Sequence, residues 1–235
     1  MMTGQNLIVT TSWDDGTKTD IRLAGLLKKY GLAGTFYIPR FMENALPPPD
    51  VVALGREFEI GAHSLTQPDL TRIPPAGAGK EIGDSKSYLE ELLGYAVPMF
   101  CYPYGTYNRP VMDIVRRCGF VAARTAEVGG LAPPGDPYAW HITLAASNAS
   151  PLMALKICRA FRLWSPAALL DWESRAKAVF DIALRRGGVY HIYGHSEECE
   201  RRNMWEKLER VFAHISGRVG VRYLTNGEIF GGGGR

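Results

Sequence analysis

Residues 7–16 read LIVTTSWDDG. Leu7, Ile8 and Val9 form an apolar, β-branched run of the kind that makes a buried strand. Asp14 and Asp15 follow side by side at the C-terminal end of that strand, and Gly16 breaks the run. Adjacent strand residues point to opposite faces, so two neighbouring acids can do two different jobs. Charged side chains are rarely buried alone, so the pair asks for a cation, a donor or a substrate. Asp-Asp-Gly is also ordinary turn chemistry, and the rest of the chain decides between the two readings.

Working outward, helical spacing runs through 17–30 and stops at Gly31, and 33–38 reads as a strand closed by Pro39. Asp50 is expected to cap a helix reaching 56, and 58–62 is a short strand ending at His63. A Pro/Gly-rich loop over 68–79 precedes a helix over 79–93, a strand over 98–102 and a helix over 110–118. Strands follow at 120–124 and 140–146, with a loop over 129–137 between them. Helices are predicted over 151–161, 166–186 and 203–215, with strands over 188–193 and 221–224. The Trp205, Leu208, Val211, Phe212, Ile215 stripe is a core face.

This end-to-end alternation predicts an α/β chain with a mainly parallel sheet. No linker or internal repeat divides it, so residues 1–235 read as one domain, structured over 7–230, with 231–235 (GGGGR) as a flexible tail. Polar residues fall at separate strand ends: Asp14 and Asp15, His63, Tyr104 and His195. In a (β/α) barrel those ends share one face, where active sites lie.

Composition excludes several function classes. The 235 residues are 46 % apolar and 22 % charged, as in an ordinary globular protein, and the net charge is only +3. No Lys/Arg block points to nucleic acid, and no stretch of about 18 apolar residues points to a membrane span. Neither partner is therefore expected. The first ten residues, MMTGQNLIVT, lack a basic n-region, a long apolar h-region and a small-residue cleavage site, so the expectation is either a cytoplasmic location or an export signal removed ahead of this sequence. Cys101, Cys118, Cys158 and Cys199 are far apart and form no CxxC pair. They read as reduced thiols, three packed and Cys199 exposed.

The runs SWDDG, HSLTQPDL, YPYG and HIYGHS occur in that order, each after a strand. Together they make the chain resemble the polysaccharide deacetylases of carbohydrate esterase family 4, over about residues 7–230. The resemblance implies a distorted (β/α)7-type barrel. It implies a hydrolase of non-peptide C–N bonds, in the first instance those of N-acetylated sugars, with a small-molecule or oligosaccharide substrate. Carried over residue by residue, Asp14 matches the general base and His195 the general acid that protonates the leaving amine. Asp15 and His63 match two ligands of a divalent, zinc-like metal. The third ligand in the resembled pattern is a histidine four residues after His63, where this chain has Gln67, a neutral amide and a weak ligand. Pro103 and Tyr104 match the loop that lines the substrate groove, with the backbone N–H at Tyr104 helping to hold the oxyanion. The arginine that opens this loop in many relatives is Cys101 here. Because of Gln67, two further readings stay open: a metal-independent amidase or cyclic-imide hydrolase of the same fold, and an inactive carbohydrate-binding relative. His191, four residues before His195 on a strand, is about 13 Å from it and is expected either to pack or to support the site from behind.

Overall fold

The structure, a computed structural model, describes residues 6–133, 135–147 and 150–231. Its first half runs β1 (Leu7–Asp14), α1 (Asp20–Lys29), β2 (Thr35–Ile38), α2 (Pro48–Gly55), β3 (Glu59–Ala62), α3 (Pro75–Leu93), β4 (Met99–Cys101), α4 (Arg109–Arg117) and β5 (Ala122–Val128). The second half runs β6 (Trp140–Ile142), β7 (Leu144–Ala145), α5 (Pro151–Phe161), α6 (Pro166–Leu170), α7 (Trp172–Arg186), β8 (Gly188–Gly194), α8 (Ser196–Arg201), α9 (Trp205–Ile215), β9 (Val221–Tyr223) and α10 (Asn226–Ile229).

All strand pairs are parallel, in the order β6-β5-β4-β3-β2-β1-β8-β7, with β9 paired to the lower half of β1. The two edges of this sheet, β6 and β7, are successive pieces of one stretch of chain separated only by Thr143. Its first piece pairs with β5 and its second with β8. The Thr143 N–H also reaches the His191 carbonyl at 3.0 Å. Counting 140–145 as one bridging strand, seven strands surround the centre, which is the expected (β/α)7-type barrel.

β1 is buried on both faces, and its alternation sorts two cores. Leu7, Val9 and Trp13 pack outward under the helices, where the Trp13 ring meets Phe212 edge-on at 6.2 Å. Ile8 faces the barrel interior with Tyr37, Met99, Cys101, Ala122, Trp140 and Val189. Thr10, Ser12 and Asp14 continue that inner row as a column of polar groups. Thr10 bonds Asn226 at 2.9 Å, Ser12 bonds His191 at 2.8 Å, and Asp14 takes the guanidinium of Arg124.

Several local expectations are corrected. Asp50 lies inside the first turn of α2 and does not cap it; Pro47 holds the cap position. α3 starts at Pro75, inside the stretch read as loop, because a proline at the first turn sacrifices no hydrogen bond. The helix expected over 166–186 breaks at Asp171, whose carboxylate accepts from the Ser174 N–H at 2.8 Å and so caps α7. Cys199, expected to be exposed, is turned inward by α8 and is buried, and Cys118 is the half-exposed thiol. The expected tail lies outside the described residues from 232 on.

Candidate active site

Asp14, Asp15, Met42, His63, Gln67, Pro103, Tyr104, Gly105, Ala126, Tyr193 and His195 line one cavity of about 460 Å³. It sits at the C-terminal ends of β1, β3, β4 and β8. All seven site residues expected from the sequence therefore meet: Asp14, Asp15, His63, Gln67, Pro103, Tyr104 and His195.

The backbone around this cavity is unusual. Asp15, Ser64, Gln67 and Tyr104 all have positive φ, at 83°, 62°, 55° and 59°. Non-glycine residues avoid this region and accumulate where function dictates the shape. Asp15 leaves the strand through that turn, so it departs from Asp14 in direction as well as in face. Residues 63–67 form a loop, not a helical turn. Glu81 of α3 pins that loop by accepting from the N–H groups of Leu65 and Thr66, each at 2.9 Å. Gly194 lets β8 pass beside Trp13; a Cβ there would lie 2.9 Å from the indole ring. His195 follows directly.

Asp14 is almost wholly buried. Burial alone would raise its pKa; the Arg124 guanidinium, helped by His63 and His195, outweighs that and holds the carboxyl below its usual range. Arg124, from β5, is itself fully buried between the rings of Tyr193 (4.5 Å) and Tyr37 (5.1 Å). It also donates to the Thr125 carbonyl at 3.2 Å and meets the Cys101 sulfur at 2.8 Å. The cation missing at position 101 is thus supplied from the next strand. The sequence reading missed Arg124. The available signal was an arginine inside the apolar run 120–125, since buried charges need a partner.

His63 is buried, and its Nδ1 donates to the Cys101 carbonyl at 2.9 Å. A carbonyl only accepts, so Nδ1 carries the proton. Burial lowers the His63 pKa despite Asp14 and Asp15, so the ring is neutral and its Nε2 lone pair faces Asp15 Oδ1 at 3.8 Å. Two acceptors facing each other across that gap fit a divalent cation, and the locked Nδ1 is the usual support of a metal-binding histidine. Gln67 does not fit as placed: its amide nitrogen donates to Asp15 Oδ1 at 2.6 Å, so it offers a proton where a ligand would offer a lone pair. Donor atoms of Asp14, His63 and Cys101 also lie within 4.8 Å of one another. Arg124 already supplies the positive charge there, and burial keeps the Cys101 thiol protonated. The Asp15–His63 gap is the better cation site.

His195 is part-exposed, with Nε2 3.8 Å from Asp15 Oδ2 and Nδ1 4.0 Å from Glu198. Tyr104 is 75 % exposed on the rim. His191 lies deeper, neutral because burial pushes its pKa well down, and stacked at 4.5 Å on Trp140. It packs, as expected.

Beneath His195, Ser196 donates to the buried carboxyl of Asp20 at 2.5 Å and meets Thr19 at 2.7 Å. This joins the loop after β8 to the start of α1. Burial pushes Asp20 from 3.8 up to about 8, so it is neutral at neutral pH. A carboxyl raised in the folded state stabilises the fold fully at pH values below its unfolded pKa, and that stabilisation is lost as pH rises toward the folded value. Between pH 4 and 8 its contribution falls by about 1.4 kcal/mol per unit. Asp20→Asn is expected to remove that slope. In urea unfolding, the stability of the variant relative to wild type rises with pH across this window and levels off above it. A pH-independent difference would contradict the buried neutral carboxyl.

Comparison with known proteins bears on the family and the fold. The family model described as polysaccharide deacetylase matches residues 3–123. The peptidoglycan-N-acetylmuramic acid deacetylase PdaC of Bacillus subtilis is 30 % identical over 103 residues, 43 % of this chain and 22 % of that protein. An uncharacterised protein of Streptomyces coelicolor is 28 % identical over 119 residues, 49 % of this chain and 46 % of that protein. The chain therefore spans less than half the length of these relatives. A family 4 acetyl xylan esterase from Clostridium thermocellum, solved with a cobalt ion, superposes with a TM-score of 0.64 at 21 % identity, covering 95 % of this chain and 90 % of the other.

Proposed function

The chain belongs to the polysaccharide deacetylase family, and on that footing we propose that it hydrolyses the acetamide bond of N-acetylated sugars. The observation that carries this reading is the convergence of Asp14, Asp15, His63 and His195 on one cavity of about 460 Å³. That volume is at the small end of the range for ligand sites, roughly 300–1,000 Å³, and suits about one sugar residue with its neighbours along the rim. The chain is a divergent member, with Gln67 where the resembled pattern has histidine.

In this reading Asp14, kept ionised by Arg124, takes the proton of the attacking water. The backbone N–H at Tyr104 faces the oxyanion. His195 delivers a proton to the leaving nitrogen, converting it to an amine. Pro103 and Tyr104 wall the sugar. Asp15 and His63 would hold a divalent, zinc-like ion, which when bound polarises the acyl oxygen and acidifies the water.

One contact favours a second reading, a metal-independent amidase or cyclic-imide hydrolase. Gln67 donates to Asp15 and so neutralises part of the charge that a cation would meet. Acetate release from N-acetylglucosamine oligomers, with metal content measured on protein purified without chelator, separates the readings. The expected result is acetate release with less than one equivalent of metal. Gln67→His is expected to tighten metal binding about 10-fold or more. A full, tight equivalent in the wild type would overturn the assignment of Gln67. Unchanged affinity in the variant would favour the second reading. Oligomer binding without acetate release would mark an inactive binding protein.

A further inference from the structure

We infer that the α5–α6 hairpin, with the C-terminal end of α7, is a docking face for the surface of an anionic lipid bilayer. α5 buries Ala154, Ile157, Cys158 and Phe161, one face of the helix. At 100° per residue, Leu152, Leu155, Lys156 and Arg159 fall on the opposite face, and all four are exposed. Apolar side chains continue through the turn and along α6: Leu152, Trp164 and Leu170 are 80 %, 80 % and 82 % exposed. The hairpin is closed. Arg162 caps α5 in a left-handed conformation, the Leu163 N–H bonds the Cys158 carbonyl at 2.8 Å, and the Cys158 thiol reaches the Ala168 carbonyl at 3.6 Å.

Charge separates this face from a chance apolar patch. Residues 150–170 contain Lys156, Arg159 and Arg162 and no acid. Arg185 and Arg186, at the end of α7, share a depression of about 420 Å³ with Arg162. Asp181 lines the same depression, but its carboxylate is bonded to His214 at 2.8 Å. Among the described residues, none of these five cations has an ion pair, whereas Lys177, Lys207 and Arg210 on the neighbouring surface are all paired. Unpaired cations beside exposed Leu and Trp are the composition of an interfacial surface, where apolar side chains enter the headgroup layer and cations meet lipid phosphates. A soluble polyanion would use the cations and leave the leucines and Trp164 without purpose.

Arg186 and Phe161 border Asn6 and Gly188, at the N-terminal ends of β1 and β8. The catalytic cavity opens at the opposite ends of the same strands, and the proposed face runs along the side of the barrel between the two ends, since Trp172, just after Leu170, bonds the Ala145 carbonyl at the end of β7. No described helix is long and apolar enough to cross a membrane. Lying on one requires no such helix.

Vesicle sedimentation with the full chain tests the inference. The probes are phosphatidylcholine vesicles with and without 30 % phosphatidylglycerol. The expected result is binding to the anionic vesicles only, weakening as salt is raised. Arg159→Glu/Arg162→Glu is expected to lower the partition coefficient at least tenfold. Leu152→Ser/Trp164→Ser/Leu170→Ser is also expected to weaken binding, while acetate release from a soluble oligomer stays at the wild-type rate in both variants. Equal binding to both vesicle types would overturn the inference. So would binding to soluble heparin that the Leu/Trp variant retains in full without vesicle binding, which would assign the face to a polymer.

Discussion

Asp14→Asn is expected to lower kcat/KM for acetate release by about 10²–10⁴-fold, the usual worth of a positioned general base. The substitution keeps the shape of the side chain and an oxygen that Arg124 can still meet, so the pocket retains its outline. It removes the ability to take a proton and also the charge that compensates the buried Arg124, so a loss of stability accompanies the loss of activity. Oligosaccharide affinity, measured by calorimetry, is expected to stay within a few-fold of wild type, because Tyr104 and Pro103 wall the cavity independently of Asp14. A variant with activity within tenfold of wild type would remove Asp14 from the chemistry. The barrel would then need another base, and Asp15, which faces His63 and His195, would be the next to test.

Arg124→Met is expected to have the largest effect on the fold itself. The side chain is fully enclosed, and its partner carboxylate is buried beside it. Deleting one member of a buried ion pair leaves the other charge without compensation, at a cost of about 3–5 kcal/mol. Met fills much of the same volume, so the loss is electrostatic rather than a cavity effect. Activity falls as well, because Arg124 is the main opponent of the burial that would otherwise protonate Asp14. The double variant Asp14→Asn/Arg124→Met is expected to be markedly less destabilised than the sum of the single changes. Urea unfolding of the four proteins gives the coupling directly. Additivity would show that the contact contributes nothing specific.

The contrast between these two residues shows how far the sequence could be read. Asp14, Asp15, His63 and His195 each sit at the end of a strand with a legible apolar run, so parallel order alone brings them to one face. Arg124 lies inside a strand. Its partner is 110 positions away, and only the curvature of the barrel places β5 opposite β1. Nothing in the local pattern of 120–125 names that partner. Asp20 was missed for a similar reason: its burial depends on Ser196 arriving from the far end of the chain. The 63–67 segment failed differently. There the sequence shows only a spacing of four after His63, and the route to proximity is a loop with two left-handed residues, held by Glu81 from the following helix. The break at Asp171 was legible in principle, since an aspartate before a helical run is a capping signal, but the apolar spacing on either side concealed it.

The stretch 140–145 serves as the last strand on one side of the sheet and the first on the other. Side chains alternate along it, so adding or deleting one residue at Thr143 would turn one of its halves inside out. Either Trp140 would lose its seat on His191, or Ala145 would lose its register with Tyr193 at the floor of the pocket. This clasp therefore ties the dimensions of the catalytic mouth to the circumference of the barrel.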